Sequence, residues 1–117
     1  MYHYVREISC SKYSNIRGLE LKDFINQLNY IQKYFNPISL GELNNLLVNN
    51  KLIPKNSILL TFDDGYIDHY EYVYPELIKK KISGLFFPTV IGTSNKSVLE
   101  VNKIQFIIAI ERDYKKN

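Results

Sequence analysis

The chain has 117 residues and 13.8 kDa, with 45% hydrophobic and 23% charged residues, a globular composition that excludes disorder along its whole length. Its 15 Lys+Arg against 12 Asp+Glu give a net charge of +3, too slight for a nucleic-acid binder, since the basic residues form no stripe interleaved with aromatics. The one cysteine, Cys10, excludes an intrachain disulfide and a cysteine-rich zinc site, and reads as a small buried or half-buried thiol.

Tyr2 to Val5 form a candidate short strand. Leu21, Phe24, Ile25, Leu28, Ile31 and Phe35 then recur at i, i+3, i+4, i+7 and predict an amphipathic helix of about four turns. Asn36-Pro37 ends it, because the residue before proline avoids the helical region. Ser39 and Glu42 offer a capping box to a short helix carrying Leu43, Leu46 and Leu47. After the turn at Pro54-Lys55-Asn56, the apolar run Ser57 to Phe62 fits a strand buried on both faces. Asp68 with Glu71 suits the cap of the next helix, which should turn Val73, Leu77 and Ile78 inward, and Pro75 either begins that helix or lies in its early part. The run Lys79-Lys80-Lys81 reads as its cationic last turn, and Ser83-Gly84 as its stop. Leu85-Phe86-Phe87 is a short buried strand ended by Pro88. Gly92 to Ser97 is a polar loop, Val98 to Glu111 a last helix with Val101, Ile104, Ile108 and Phe106 on its apolar side, and Arg112 to Asn117 a frayed polar tail.

The order β-α-α-β-α-β-α indicates parallel strands with flanking helices and right-handed crossovers. In such folds active sites gather at the C-terminal ends of the strands. Asp63 and Asp64 occupy that place, and Gly65 permits the sharp turn after them. Adjacent side chains at a strand end point in different directions. One carboxylate could bind a cation while the other faces water whose pKa the cation has lowered, and takes its proton. Asp-Asp-Gly is also a plain turn signal, and spacing alone leaves both readings open. An aspartyl phosphoryl-transfer nucleophile is not supported, because Phe62 stands where the Asp-x-Asp-Gly pattern needs its first carboxylate. A phosphate-cradling glycine loop and a Gly-x-Ser-x-Gly elbow are both absent.

Leu60-Thr61-Phe62-Asp63-Asp64-Gly65-Tyr66-Ile67-Asp68 resembles the first motif of the polysaccharide deacetylases with the NodB-homology domain. Tyr2-His3-Tyr4-Val5 resembles the first-strand motif of that family, and Pro37 to Leu43 its helix-helix connection. Tyr74 to Lys80 and Gly84 to Phe87 resemble the helix and strand that follow the first motif. The similarity runs from Tyr2 to about Ala109. It implies a single, truncated domain over residues 1–117: the N-terminal portion, about the first half, of a distorted (β/α) barrel of TIM type.

The resemblance further implies metal-dependent hydrolysis of a carbon-nitrogen amide bond, removing N-acetyl groups from a cell-surface polysaccharide. By that analogy Asp63 is the general base and Asp64 the one carboxylate ligand of a divalent cation, usually zinc. Tyr66, beside the acidic pair, is a candidate substrate contact. So is His3, at a strand end near Asp63, although packing at that strand end weighs more than a ligand role. His69 reads as a solvated helix-start residue. The family's His-x-x-x-His ligands, its Arg-containing loop and its Leu-x-His segment have no counterpart, since His3 and His69 are the only histidines. The cation site is therefore incomplete, and the fragment is expected to be weak or inactive. The alternative is a catalytically silent paralogue or split-gene half that self-associates or docks a separately encoded C-terminal half. No apolar run approaches the roughly 18 residues of a membrane span. Residues Met1 to Arg6 lead into no signal-peptide core. The resemblance points to secretion or the bacterial cell envelope, and the missing signal leaves the cytoplasm open.

Overall fold

A computed structural model of the chain describes residues 1–94 and 97–114. The apolar stripe read from the sequence forms α1 (Leu21–Tyr34), which buries Phe24, Leu28 and Ile31. That helix packs on strands made by two parallel pairings. β1 (Val5–Arg6) pairs with β2 (Leu19–Glu20). Ahead of β1, Tyr2 bridges in parallel to Phe62: the Tyr2 amide donates to the Thr61 carbonyl at 2.8 Å, and the Asp63 amide donates to the Tyr2 carbonyl at 2.9 Å. The first extended segment is thus longer than Tyr2 to Val5 and is shared between two partners.

The segment expected to end α1 also pairs. β3 (Asn36–Pro37) lies parallel to β4 (Ser57–Ile58). Proline is tolerated there because the donors are Asn36, to the Asn56 carbonyl, and Ile38, to the Ile58 carbonyl; the missing amide belongs to the residue between them. α2 (Leu40–Val48) starts with the predicted capping box, Ser39 Oγ accepting from the Glu42 amide and the Glu42 carboxylate accepting from the Ser39 amide. No residue of α2 is fully buried.

β5 (Leu60–Asp64) carries the acidic pair and runs parallel to β6 (Gly84–Pro88), Leu60 facing Gly84 and Asp64 facing Pro88. A methyl group on Gly84 would stand 2.8 Å from Leu77 Cδ1 and 2.9 Å from Phe62 Cε2, so only glycine lets the strand approach the core here. Leu60 and Phe62 are buried with Val5, the α1 stripe, Val73, Leu77 and Ile82 in the main core; each such large side chain contributes about 1.5–3 kcal/mol by leaving water. Thr61 and Asp63, on the alternate face, are only half-buried, and Phe87 in β6 is exposed. The expectation of strands buried on both faces therefore holds for one face only. Among the described residues no strand pairs with the outer edge of β6, and the architecture is α/β with parallel strands without a closed barrel.

After β5 the helix begins as a π turn, His69–Val73, and continues as α3 (Tyr74–Lys80). Pro75 has no amide to give, and the ladder widens just before it: the Tyr74 amide donates to the His69 carbonyl, five residues back. Asp68 does not cap this helix; it is 2% exposed and pairs with Arg6. Val73 and Leu77 point inward as expected, whereas Ile78 is exposed. Lys79 and Lys80 form the cationic last turn, and Lys81, in the left-handed conformation, ends the helix before Ser83-Gly84.

α4 (Val90–Ser94) replaces part of the polar loop expected from Gly92 to Ser97, of which residues 95 and 96 lie outside the described residues. α5 (Glu100–Tyr114) is helical where predicted and extends into the segment expected to fray, whose residues 115–117 are not among those described. Its orientation keeps only Phe106 of the expected apolar side inward. Val101, Ile104 and Ile108 face solvent, and Asn102, Phe106 and Ala109 face the protein, where Ala109 joins a second cluster with Tyr4, Ile8 and Ile16. Cys10, expected to be at least half-buried, is exposed in the loop before β2.

Candidate functional site

The acidic pair ends β5. Asp63 stays in the ladder, and alternation puts it on the face of Thr61, opposite Phe62. Asp64 leaves the pleat: its φ is +73°, followed by +67° at Gly65. Aspartate is among the few non-glycine residues that adopt this region as single residues. At Gly65 a methyl group would meet Pro88 Cα at 2.9 Å and Cβ at 2.8 Å, so the turn requires glycine. The two carboxylates therefore diverge, and Asp64 lines a cleft of about 260 Å³ with Tyr4, Arg6, Tyr66, Asn102 and Phe106, whereas Asp63 does not.

Within that cleft Tyr66 Oη lies 2.6 Å from Asp64 Oδ2 and 2.9 Å from Asn102 Oδ1. Its ring stacks on Tyr4 with centroids 4.1 Å apart and planes at 20°. Burial, and then the hydrogen bond to Asp64, push the Tyr66 phenol far above its ordinary range, so it remains a donor. His3 is half-exposed, with Nε2 3.9 Å from the same Asp64 oxygen. The structure thus brings Asp64, Tyr66 and His3 together, with Asp63 adjacent in sequence and not among the residues lining the cleft.

His69 is buried, not solvated. The π turn directs it onto Phe62, Tyr66 and Phe86. Its Nε2 stands 2.8 Å from the His3 carbonyl; a carbonyl only accepts, so Nε2 is the donor. His69 thereby fixes the backbone of His3. Beneath the site, Arg6 grips Asp68 through two bonds of 2.6 and 2.7 Å, with its guanidinium 4.9 Å from the Tyr4 ring centroid. Sequence reasoning missed Asn102, Arg6 and Asp68 as a supporting set. α5 also carries Glu100, Lys103 and Gln105, so nothing local singled out Asn102, and the Arg6–Asp68 pair, 62 residues apart, left no signal either.

Catalytic zinc sites use three protein donors. Among the described residues no group of three His, Cys, Asp or Glu side chains could hold a metal ion. Asp64 and His3 are two, so the donor set of these residues alone does not fit a catalytic cation.

No protein-family model and no curated protein matches the chain. Two solved structures share its fold. One is the deacetylase PplD of Streptococcus pyogenes in complex with acetate, with a TM-score of 0.67 and 26% identity over 95% of this chain and 50% of that one. The other is a de-N-acetylase from Aggregatibacter actinomycetemcomitans, with a TM-score of 0.68 and 20% identity over 84% of this chain and 40% of that one. The likeness is consistent with the N-terminal portion of a polysaccharide deacetylase domain, and the chain spans half or less of the length of the solved structures it matches.

Proposed function

We propose that the chain forms the part of a de-N-acetylase domain that carries the general base and one cation ligand, acting on N-acetylated polysaccharide. The observation supporting this most is the placement of Asp63-Asp64 at the C-terminal end of β5, in a fold shared with two deacetylases. Removing an N-acetyl group consumes one water and yields acetate and an amine. Asp63 is the group that takes the proton of that water, a role worth about 10²–10⁴ in rate. Asp64 is one donor of a divalent-cation site, zinc in character, and the remaining donors would have to come from residues beyond those described. No step is assigned to a cation on two donors. His3, half-exposed with Nε2 3.9 Å from Asp64, and Tyr66 are the candidate substrate contacts of this reading. Secretion or an envelope location belongs to the same reading, and among the described residues no helix is long and apolar enough to cross a membrane.

Incubated with Zn²⁺ and an N-acetylated chito-oligosaccharide, the chain alone is expected to release little or no acetate. Calorimetric Zn²⁺ titration should show at most weak binding, weaker still in Asp64→Ala. Equal weak binding in both proteins would take Asp64 out of the site, and robust acetate release insensitive to Asp63→Asn would overturn the assignment of the base.

A second reading, a half-domain that works by docking a partner, is supported by the open edge of β6 and the aliphatic face of α5. Unpaired parallel edges seek strands. Light scattering that shows a compact monomer at high concentration would count against it.

A further inference from the structure

We propose that Asn102, acting through Tyr66, is a positioning residue that fixes the carboxylate of Asp64, which makes α5 part of the functional site. This rests on the reading of Asp64 as a working side chain. Asp64 lies in the left-handed turn at the end of β5, outside the pleat that would otherwise orient it. What orients it is the Tyr66 hydroxyl, 2.6 Å from Oδ2. The Tyr66 ring is clamped against Tyr4, 4.1 Å between centroids, and Tyr4 in turn meets Phe106 of α5.

Asn102 stands behind that hydroxyl at 2.9 Å and is 6% exposed. The phenol has one proton. Given to the charged carboxylate, the stronger acceptor, it leaves the phenol oxygen to accept from Asn102, whose amide presents an N–H after a half-turn of its end group. The cost of this arrangement is visible in the helix. The aliphatic pattern of α5 favours burying Val101, Ile104 and Ile108; the helix turns Asn102, Phe106 and Ala109 inward instead and leaves those three in solvent. A buried amide needs a partner, and the bond reaching Asn102 leads to Asp64. The Asn102–Tyr66–Asp64 chain therefore sets the register of α5 and the direction of the carboxylate together.

The test reads the Asp64 rotamer in the metal-free full chain, through three-bond couplings across its Cα–Cβ bond, with the Asn102 side-chain amide signals followed in parallel. The wild type should show one rotamer at Asp64. Tyr66→Phe keeps the ring but removes the donor, and Asn102→Ala removes the support; both should shift the couplings to averaged values, and Tyr66→Phe should move the Asn102 amide signals. Ile31→Val trims a methyl group from the main core, outside the cleft, and should change nothing at Asp64, whereas a general loosening of packing would appear there too. Asp64 averaged in the wild type, fixed in Tyr66→Phe, or fixed in Asn102→Ala would overturn the proposal. Should Asn102→Ala fail to fold, Tyr66→Phe decides alone. Because no cation or substrate is present, failure of the deacetylase reading leaves these couplings unchanged.

Discussion

The two long helices, α1 of 14 residues and α5 of 15, treat their aliphatic residues in opposite ways. In α1 the stripe at i, i+3, i+4, i+7 is the buried face, with Phe24 and Leu28 wholly out of water. In α5 the corresponding stripe of Val101, Ile104 and Ile108 lies outward, and the inward face carries Asn102. The difference teaches what each helix packs on. α1 covers the apolar side of β5, where area removed from water decides the register. α5 lies against Tyr4, Tyr13 and Tyr66, where Phe106 and Ala109 pack and Asn102 meets the Tyr66 hydroxyl.

The largest expected contrast is in stability. Phe24→Ala should cost about 3–5 kcal/mol in a urea unfolding experiment, the usual range for emptying a core site. A cost below about 1 kcal/mol would mean that α1 is not the wall of the core. Asn102→Ala should cost about 1–3 kcal/mol in the same experiment, because one partner of a buried bond is removed and the other remains. A neutral result would reduce α5 to loose packing.

α2 lies between the two cases, with no buried residue and a complete capping box. Ser39→Ala should cost about 1 kcal/mol. The Ser39 amide, and then its hydroxyl, hold the Glu42 carboxyl below the usual carboxylate range. A depressed folded value means that this contribution is present above the usual range and is lost as pH falls through the folded one, so the gap between Ser39→Ala and wild type should narrow toward low pH without closing, because Ser39 Oγ still accepts from the Glu42 amide. Divergence there would rule out the box as the anchor of α2. The smallest effect is expected at Ile104→Lys, within about 0.5 kcal/mol for an exposed position. A loss of 1 kcal/mol or more, growing with protein concentration, would show that the outward stripe is covered by another chain and would sharpen the docking reading.

Much of the fold was legible because local physics is strong in it. The α1 stripe, the Ser39–Glu42 box, the cationic end at Lys79-Lys80, and the strand that presents Asp63-Asp64 appear where periodicity and capping put them. Other features escaped because tertiary partners overrode local preference. Asp68 has the chemistry of a helix cap, but a bidentate Arg6 offers it more. His69 belongs by position to a solvated helix start, and the π turn ahead of Pro75 swings it into the core. The strands of β1 to β4 are two residues each, too short to carry a period-two signal. Thr61 and Phe87 read as buried because an apolar run records what a fold can cover, not what does cover it here.

By itself the sequence determined the acidic dipeptide, the glycine that must follow it and the helix that backs its strand, since each follows from forces acting within a few residues. Only the tertiary structure decided that Asn102 of the last helix meets the Tyr66 hydroxyl, that Arg6 takes Asp68, and that the last helix turns Val101, Ile104 and Ile108 outward. Those choices depend on atoms tens of residues apart, which local patterning does not record.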